Sequence, residues 1–170
     1  MSTRKHEVIF ACYGIHAIWE VIFGVIEVRF ERGVYLPQQD FWLDPWDAKP
    51  FAFVSHAHSD HIAPHREVIV SERTARLMRI RLPASRIEHP LPFGERKSIS
   101  GIDVMLIPAG HIFGSAQCLV FAGDQTLLYS GDFKLRAGRS AEQPEWRQAD
   151  TLVWKRPSAC RGIDSRPRKR

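Results

Sequence analysis

The chain has 170 residues, which is enough for one domain or for part of a larger one. Hydrophobic residues make up 44% of it, which excludes wholesale disorder. The net charge of +5 does not indicate a basic, nucleic-acid-binding body, because residues 155–170 hold seven of the 24 Lys and Arg but one of the 19 Asp and Glu. The three cysteines form no Cys-x-x-Cys pair, which excludes a cysteine zinc site and a readable disulfide framework. This cysteine usage favours a cytoplasmic location.

Residues 1–24 are interpreted as an N-terminal extension whose structure the sequence does not define. The apolar stretch 8–28 is interrupted by His16, Glu20 and Glu27 and has no small-residue cleavage site. These features argue against a signal peptide and a transmembrane helix, so no membrane association is predicted. The stretch is expected to be a helix or strand that packs on the domain, or sequence foreign to the fold.

Residues 25–154 show short, β-rich apolar runs separated by turns, with one predicted helix. Ser71 is predicted to cap that helix, which ends near Arg81, before Pro83. Residues 155–170 are basic and contain two prolines but no apolar periodicity, so they are predicted to be a disordered tail. The predicted strands lie in 25–35, 41–43, 51–54, 99–107, 118–121 and 126–129, the last two as a hairpin, and a further strand begins at 152.

A dense group of metal-ligand side chains follows the apolar run 51–54, in His56-Ala57-His58-Ser59-Asp60-His61. His56 and His58 are two residues apart, so in an extended segment both point to the same side and reach one cation. Asp60 and His61 follow as the chain turns and face a second position beside the first. Imidazole and carboxylate groups are suitable ligands for Zn²⁺. If this segment were only a solvated polar loop, there would be no structural reason for four such residues to cluster in it.

Two further candidate ligands stand where predicted strands stop. His111 occurs in Pro-Ala-Gly-His and Asp132 in Ser-Gly-Asp-Phe. The glycine before each is predicted to let the backbone approach a metal closely. Each pattern is weak by itself, because Gly-Asp is usually a turn and a lone His is usually a polar loop residue. Their shared position at strand ends makes both candidate ligands.

Four segments of the chain resemble the motifs of the metallo-β-lactamase superfamily, and within it those of the β-CASP nucleases. The second motif is specific to the superfamily, and the third and fourth together favour nucleases. The resemblance covers about residues 25–154. Within the β-CASP branch, this part of the chain resembles bacterial exonucleases and mRNA 3′-end processing factors. It implies an α/β fold, the αββα sandwich, of which this chain would supply roughly the N-terminal half. The four segments are Leu43-Asp44, 55–61, 109–116 and 129–133.

The resemblance also implies a centre with two Zn²⁺ ions. A hydroxide held between two metals about 3.5–4 Å apart is a strong nucleophile at neutral pH and suits attack on phosphorus. Asp60 and Asp132 would be the catalytic carboxylates, with Asp132 bridging the ions. The first ion is assigned to His56, His58 and His111, and the second to Asp60, His61 and Asp132.

Three other residues are given roles near this centre. The resemblance implies that Asp44 orients a ligand imidazole or the ligand loop. Lys134 and Arg136 follow Asp132 closely in sequence and are predicted to contact the substrate. By the resemblance, that substrate is a nucleic acid, RNA or DNA. The expected function is therefore metal-dependent phosphodiester hydrolysis by an exonuclease, with RNA processing among its expected roles.

The sequence departs from the family pattern after Val153. The family continues with an acidic residue, whereas this chain has Trp154-Lys155-Arg156-Pro157. The inserted β-CASP cap, two later His motifs and the second half of the fold are not in the sequence, so the second metal site is expected to be incomplete. We expect a fragment or frameshifted product that binds metal but has little or no nuclease activity, because lost general acid help costs about 10²–10⁴-fold.

Two alternatives stay open at this stage. One is a hydrolase of the same fold that acts on a small ester, thioester or lactam. The other is a truncated fragment that binds metal or nucleic acid without being an enzyme. The sequence leaves open whether this chain is itself active, and it gives no prediction of its oligomeric state.

Overall fold

A computed structural model describes residues 7–11, 20–23, 26–82, 85–136 and 138–155, with side chains described from Ile26 onward. The α-helix found in these ranges is α1 (Glu72–Arg81), and a short 3-10 helix spans Pro37–Gln39. The strands are β1 (Glu7–Ala11), β2 (Glu20–Phe23), β3 (Ile26–Phe30), β4 (Val34–Leu36), β5 (Phe41–Leu43), β6 (Phe51–Phe53), β7 (Glu67–Ser71), β8 (Ile87–Leu91), β9 (Arg96–Ile99), β10 (Ile102–Pro108), β11 (Ala116–Ala122), β12 (Gln125–Tyr129) and β13 (Thr151–Lys155).

The strands form two mixed sheets. One has the order β1-β13-β12-β11-β10-β9 and the other the order β2-β3-β4-β5-β6-β7-β8. Strands β5 to β8 run parallel to one another, and β13 runs parallel to both β1 and β12. Because parallel strands end at the same edge of a sheet, the loops after β5 and β6 lie side by side, as do the ends of β12 and β13.

The main hydrophobic core lies between the two sheets and draws on both. Successive strand residues point to opposite faces. In β7, Ile69 enters this core, whereas Val68 and Val70 pack on the opposite face with α1. In β12, Leu127 enters the core, whereas Leu128 lies in a separate cluster on the outer face of its sheet. This two-faced packing is what a layered sandwich requires.

Helix α1 begins and ends as the sequence predicts. The Ser71 hydroxyl accepts a hydrogen bond from the Thr74 backbone N–H at 3.1 Å, which makes Ser71 the N-cap. The buried face of the helix, including Met78, packs against Val54 at the end of β6. The helix therefore supports the point where the ligand loop begins. No described helix has the length and apolar character needed to cross a membrane.

Several predicted strands are confirmed, but five strands are not predicted by the sequence pattern. The predictions at 41–43 and 51–54 correspond to β5 and β6, and the predicted hairpin is β11 with β12. Strands β8 and β9 have mostly exposed or half-buried residues and no clear apolar pattern, so they depend on pairing with β7 and β10. Strands β1 and β2 lie within the expected extension 1–24, and β7 ends at Ser71, the helix cap.

One boundary differs from the expectation in a way that affects the site. The sequence assigns Lys155 to the basic tail, whereas the structure makes it the last residue of β13, with 4% of its surface exposed. The parallel pairing of Ala11 with Lys155 extends the strand to this point. The rest of the expected tail lies outside the described residues.

Candidate metal centre

Polar side chains from both sheets meet at one edge of the sandwich. Asp44 follows β5, and the segment 55–61 follows β6, its parallel neighbour. From the other sheet come His111 after β10, Asp132 after β12 and Lys155 at the end of β13. Because these strand ends share one edge, residues far apart in sequence become neighbours.

Three imidazoles converge here, and we call His56, His58 and His111 the three-histidine cluster. His58 Nδ1 lies 2.9 Å from His56 Nε2 and 3.4 Å from His111 Nε2. Tetrahedral ligands about 2.0–2.1 Å from a zinc ion are roughly 3.4 Å apart, so these nitrogens fit around one divalent metal. His56 is buried and the other two are half-buried, which leaves one side of the cluster open. Three protein ligands with one open position form the usual catalytic type of metal site.

The buried carboxylate of Asp44 organises the ligand loop. It accepts hydrogen bonds from the Ser55 backbone N–H at 2.7 Å, the Ser55 hydroxyl at 2.6 Å and the Tyr129 hydroxyl at 3.1 Å. Since the Ser55 hydroxyl donates to Asp44, it accepts from His56 Nδ1, 2.9 Å away. His56 Nε2 is thereby left with its lone pair facing the cluster, as a metal ligand requires.

A second group lies beside the first, and we call His61, Asp132 and Lys155 the lysine cluster. His61 Nδ1 lies 3.0 Å from Asp44 Oδ2, and His61 Nε2 lies 3.7 Å from Asp132 Oδ2. Lys155 Nζ lies 2.5 Å from His61 Nε2 and 3.1 Å from Asp132 Oδ1. Asp60 approaches His61 Nε2 to 3.8 Å, but its side chain is 64% exposed. An ammonium group therefore stands among the residues expected to hold the second metal.

The two clusters have opposite electrostatic character. Burial and the neighbouring His61 together lower the pKa of His56 to about 2, so His56 is neutral at physiological pH. Burial disfavours a charge on His61, whereas the neighbouring Asp44 and Asp132 raise its pKa above the ordinary value. Burial alone would raise the pKa of both carboxyl groups, but His61 and Lys155 hold the pKa of Asp44 and Asp132 well below their usual range. The lysine cluster therefore pairs ionised carboxylates with the Lys155 ammonium, which donates to His61 Nε2, whereas the buried imidazole of the three-histidine cluster is neutral.

The glycines before His111 and Asp132 are required by the backbone conformation and by the packing of neighbouring loops. Gly131 has φ +53°, and a Cβ there would lie 2.8 Å from Ser55 Cβ. Gly110 has φ +72°, and a Cβ there would lie 2.8 Å from the backbone oxygen of Lys134. Both positions thus require glycine for a left-handed backbone and for loop-on-loop packing. That they also bring the backbone close to a metal stays a prediction.

The residues predicted to contact the substrate lie around this centre. One further residue of the centre, Lys155, was not predicted from the sequence. Lys134 and Arg136 are exposed on the loop that follows Asp132. The Lys134 backbone N–H donates to the Ala109 carbonyl at 3.0 Å, which ties this loop to the one that carries His111. Lys155 was assigned to the tail, and its departure from the acidic family pattern was the signal that could have drawn attention to it.

His65, four residues after His61, lies outside both clusters. It is buried, and its Nδ1 accepts a hydrogen bond from the Lys49 backbone N–H at 3.1 Å. This contact connects the ligand loop to the segment before β6. His65 is therefore a structural residue of the loop.

No family model matches the chain, but several known proteins are similar to it. The chain is 58% identical over 129 residues to a protein of Opitutus terrae named "Probable DNA ligase". The aligned region covers 75% of this chain and 13% of that protein. It is 32% identical over 115 residues to the 5′ exonuclease Apollo of Gallus gallus. That alignment covers 61% of this chain and 25% of that protein. The chain thus spans a quarter or less of the length of these two relatives.

The fold is also found in a solved structure from Parabacteroides distasonis, a protein named as a metal-dependent hydrolase. The likeness has a TM-score of 0.50 at 13% identity and covers 69% of this chain and 67% of that one. The chain has the metallo-β-lactamase fold, and this fold, the histidine-rich loop and the relatives together support the metallo-β-lactamase superfamily. Within that superfamily the relatives support the β-CASP nuclease branch.

Proposed function

We propose that this chain is the metal-binding part of a phosphodiester hydrolase that acts on nucleic acid, with Zn²⁺ as its metal. The observation that supports this most directly is the convergence of three ring nitrogens, from His56, His58 and His111, within 4.8 Å of one another. A metal ion in such a site lowers the pKa of a bound water and polarises a phosphoryl oxygen. The fit of the donor set therefore favours hydrolysis over a purely structural role.

Residues around the three-histidine cluster supply the remaining functions. Asp132 Oδ2 lies 3.9 Å from His111 Nε2, so this carboxylate stands where it can orient an attacking water. Asp60 lies at the exposed rim and is proposed as a second carboxylate of the reaction. Lys134 and Arg136 extend from the neighbouring loop and are suited to hold the phosphates of a nucleic acid strand.

The names of the relatives narrow the proposed substrate. One is named a DNA ligase and another a 5′ exonuclease, so we favour removal of nucleotides from a DNA end. RNA is the alternative substrate, and RNA processing would then be the role. A cytoplasmic location remains a prediction from the cysteine usage.

The proposal is tested by cleavage of end-labelled single-stranded DNA and RNA under single-turnover conditions, with the protein in excess and Zn²⁺ or Mn²⁺ added. Long incubation makes slow cleavage measurable. The His58→Asn variant removes a metal ligand, and His89→Asn is a matched control on β8, where His89 pairs with Glu67 at 2.8 Å. In line with the weak activity expected from the sequence, we expect slow cleavage by the wild type and by His89→Asn, and a fall of about 100-fold or more in His58→Asn.

Metal content is measured on the same samples. A wild-type chain that holds its metal but cleaves neither substrate would overturn the proposed hydrolase function. A chain that holds no metal would overturn the metal site itself. Cleavage that persists in His58→Asn would show that the activity does not come from this centre.

A further inference from the structure

Lys155 is a buried cation within the metal centre. With 4% of its surface exposed, it is unlike most lysines, which keep their ammonium group in water. Its backbone N–H donates to the Ser130 hydroxyl at 3.0 Å, which fixes the end of β13 beside the end of β12. The side chain is thereby directed into the space between the two sheets' strand ends. A lysine in this position is stabilised by anionic or accepting partners.

Its partners are residues that could hold a second metal. His56, His61 and Asp132 offer ligand atoms that lie within 4.8 Å of one another. Lys155 Nζ contacts two of these three, His61 Nε2 at 2.5 Å and Asp132 Oδ1 at 3.1 Å. Because an ammonium can only donate, His61 Nε2 accepts from Lys155, and the lone pair that a metal would need is already engaged. Asp132 Oδ1 faces the same ammonium.

The charges at this position also disfavour a second metal. A divalent ion bound here would lie within a few ångströms of the ammonium group, and like charges so close repel strongly in a buried site. The Asp132 carboxylate would also have to be shared between the ion and the ammonium. The three-histidine cluster has no such cation among its ligand nitrogens in the described structure, and it fits a metal.

We propose that the Lys155 ammonium is a built-in cation that takes the place of a second metal, so that the chain binds one divalent ion, at His56, His58 and His111. This inference rests on the metal site of the proposed function but not on the reaction. The lysine neutralises Asp132 and holds His61 in place, and its N–H groups can donate to a phosphate oxygen beside the single metal. The centre is therefore of a mixed kind, with one metal and one ammonium.

The test is metal stoichiometry, measured independently of activity. Apo protein, full chain, is titrated with ZnCl₂ by calorimetry and with CoCl₂ by visible absorption, and the bound metal is counted by elemental analysis after gel filtration. Lys155→Met keeps the length of the side chain but removes the charge, and Lys155→Glu adds a ligand carboxylate. Lys97→Met is the control, because Lys97 is an exposed lysine paired with Glu95 at 2.7 Å.

We expect one ion in the wild type and in Lys97→Met, and two in Lys155→Met and Lys155→Glu, with at least tenfold tighter binding of the second ion than in the wild type. Thermal unfolding of each apo protein checks that the variants fold. Two tightly bound ions in the wild type would overturn the inference, as would one ion in a folded Lys155→Met or Lys155→Glu protein. Because the wild-type count is itself decisive, a variant that fails to fold does not prevent refutation.

The two proposals fail in distinguishable ways. Absence of metal from every protein would refute the three-histidine site of the proposed function. Absence of cleavage with metal bound would refute the hydrolase function. The proposal that Lys155 replaces a second metal is refuted only by the ion counts, either two tightly bound ions in the wild type or one ion in a folded Lys155 variant.

Discussion

The two halves of the metal centre contain similar chemical groups but differ in what those groups face. In the three-histidine cluster, ring nitrogens from two loops face one another across 2.9 and 3.4 Å and leave a position open to solvent. In the lysine cluster, an imidazole and a carboxylate of the same kinds face the Lys155 ammonium. The first half fits a metal ion, and the second half is already filled by a cation of the protein.

The difference shows that ligand type is not sufficient for a metal site. His56 and His61 both have an Nδ1 atom held through Asp44, directly for His61 and through the Ser55 hydroxyl for His56. Both imidazoles are therefore oriented in the way that metal ligands usually are. What separates them is the neighbour of Nε2, which is another histidine in one case and Lys155 in the other. Whether Nε2 is available therefore decides which of the two imidazoles can bind a metal.

The largest effect is expected from removing one ligand in each cluster. His111→Ala should weaken Zn²⁺ binding by about 10³-fold, because zinc sites with four ligands bind with roughly 10–16 kcal/mol. His61→Ala should leave the count at one ion and weaken binding by less than about 100-fold, through Asp44 and the ligand loop. Calorimetric titration measures both. Equal losses in the two variants would remove the distinction between the clusters.

A second large effect is expected at Asp44, which connects the clusters. Asp44→Asn removes a charge that accepts several buried hydrogen bonds and pairs with His61, so the free energy of unfolding of the apo protein should fall by about 3 kcal/mol. Urea unfolding provides the measurement. Asp103→Asn is the control, because Asp103 is at the surface and pairs with Arg96, and it should change stability far less. Similar losses at the two positions would contradict a special role for Asp44.

The pH dependence of stability should show the effect of a buried histidine outside both clusters. Burial lowers the pKa of His65 to about 4, so the folded protein excludes a proton that the unfolded chain binds below its ordinary pKa of 6.5. The contribution of His65 to stability is therefore complete above pH 6.5 and decreases as the pH falls towards 4, by about 1.4 kcal/mol per pH unit.

The His65→Asn variant keeps an acceptor for the Lys49 N–H but cannot be protonated in this range. The slope of unfolding free energy between pH 6.5 and pH 4 should be smaller in the variant than in the wild type. Urea unfolding of the two apo proteins at several pH values gives the two slopes. Identical slopes would show that His65 does not remain neutral when the protein is folded.

The smallest effect concerns the packing of the Asp132 loop on the ligand loop. Gly131 and Gly123 have similar left-handed φ values of +53° and +58°, but a Cβ at Gly131 would meet Ser55 at 2.8 Å, whereas Gly123 has nothing within 4 Å. Alanine should therefore destabilise the protein by about 1 kcal/mol at Gly123, from backbone strain, and by about 1–2 kcal/mol more at Gly131. Thermal unfolding of the two variants measures the difference. The contact with Ser55 would be unimportant if both variants lost the same stability.

The sequence alone identified the features that depend on local pattern. The short apolar runs predicted β5, β6 and the hairpin of β11 and β12, because alternation and turn residues act within a few positions. The cap at Ser71 predicted helix α1 for the same reason. The motif 55–61 marked the ligand loop, since donor atoms of the right type two residues apart are a local property. The positions of His111 and Asp132 at predicted strand ends added these two residues, and the family resemblance then supplied Asp44.

The tertiary structure decided how those residues are used. Strands β8 and β9 form because they pair with neighbours, although their own residues show no clear apolar pattern. Gly131 is required by Ser55, a residue 76 positions away in the chain that only loop packing brings to it. Lys155 follows an apolar strand in sequence and was assigned to a tail, but the parallel pairing of β13 with β12 places its ammonium against His61 and Asp132. Contacts between strand ends depend on sheet order, which no local pattern encodes, and for that reason the charge of the second half of the centre was not readable from the sequence.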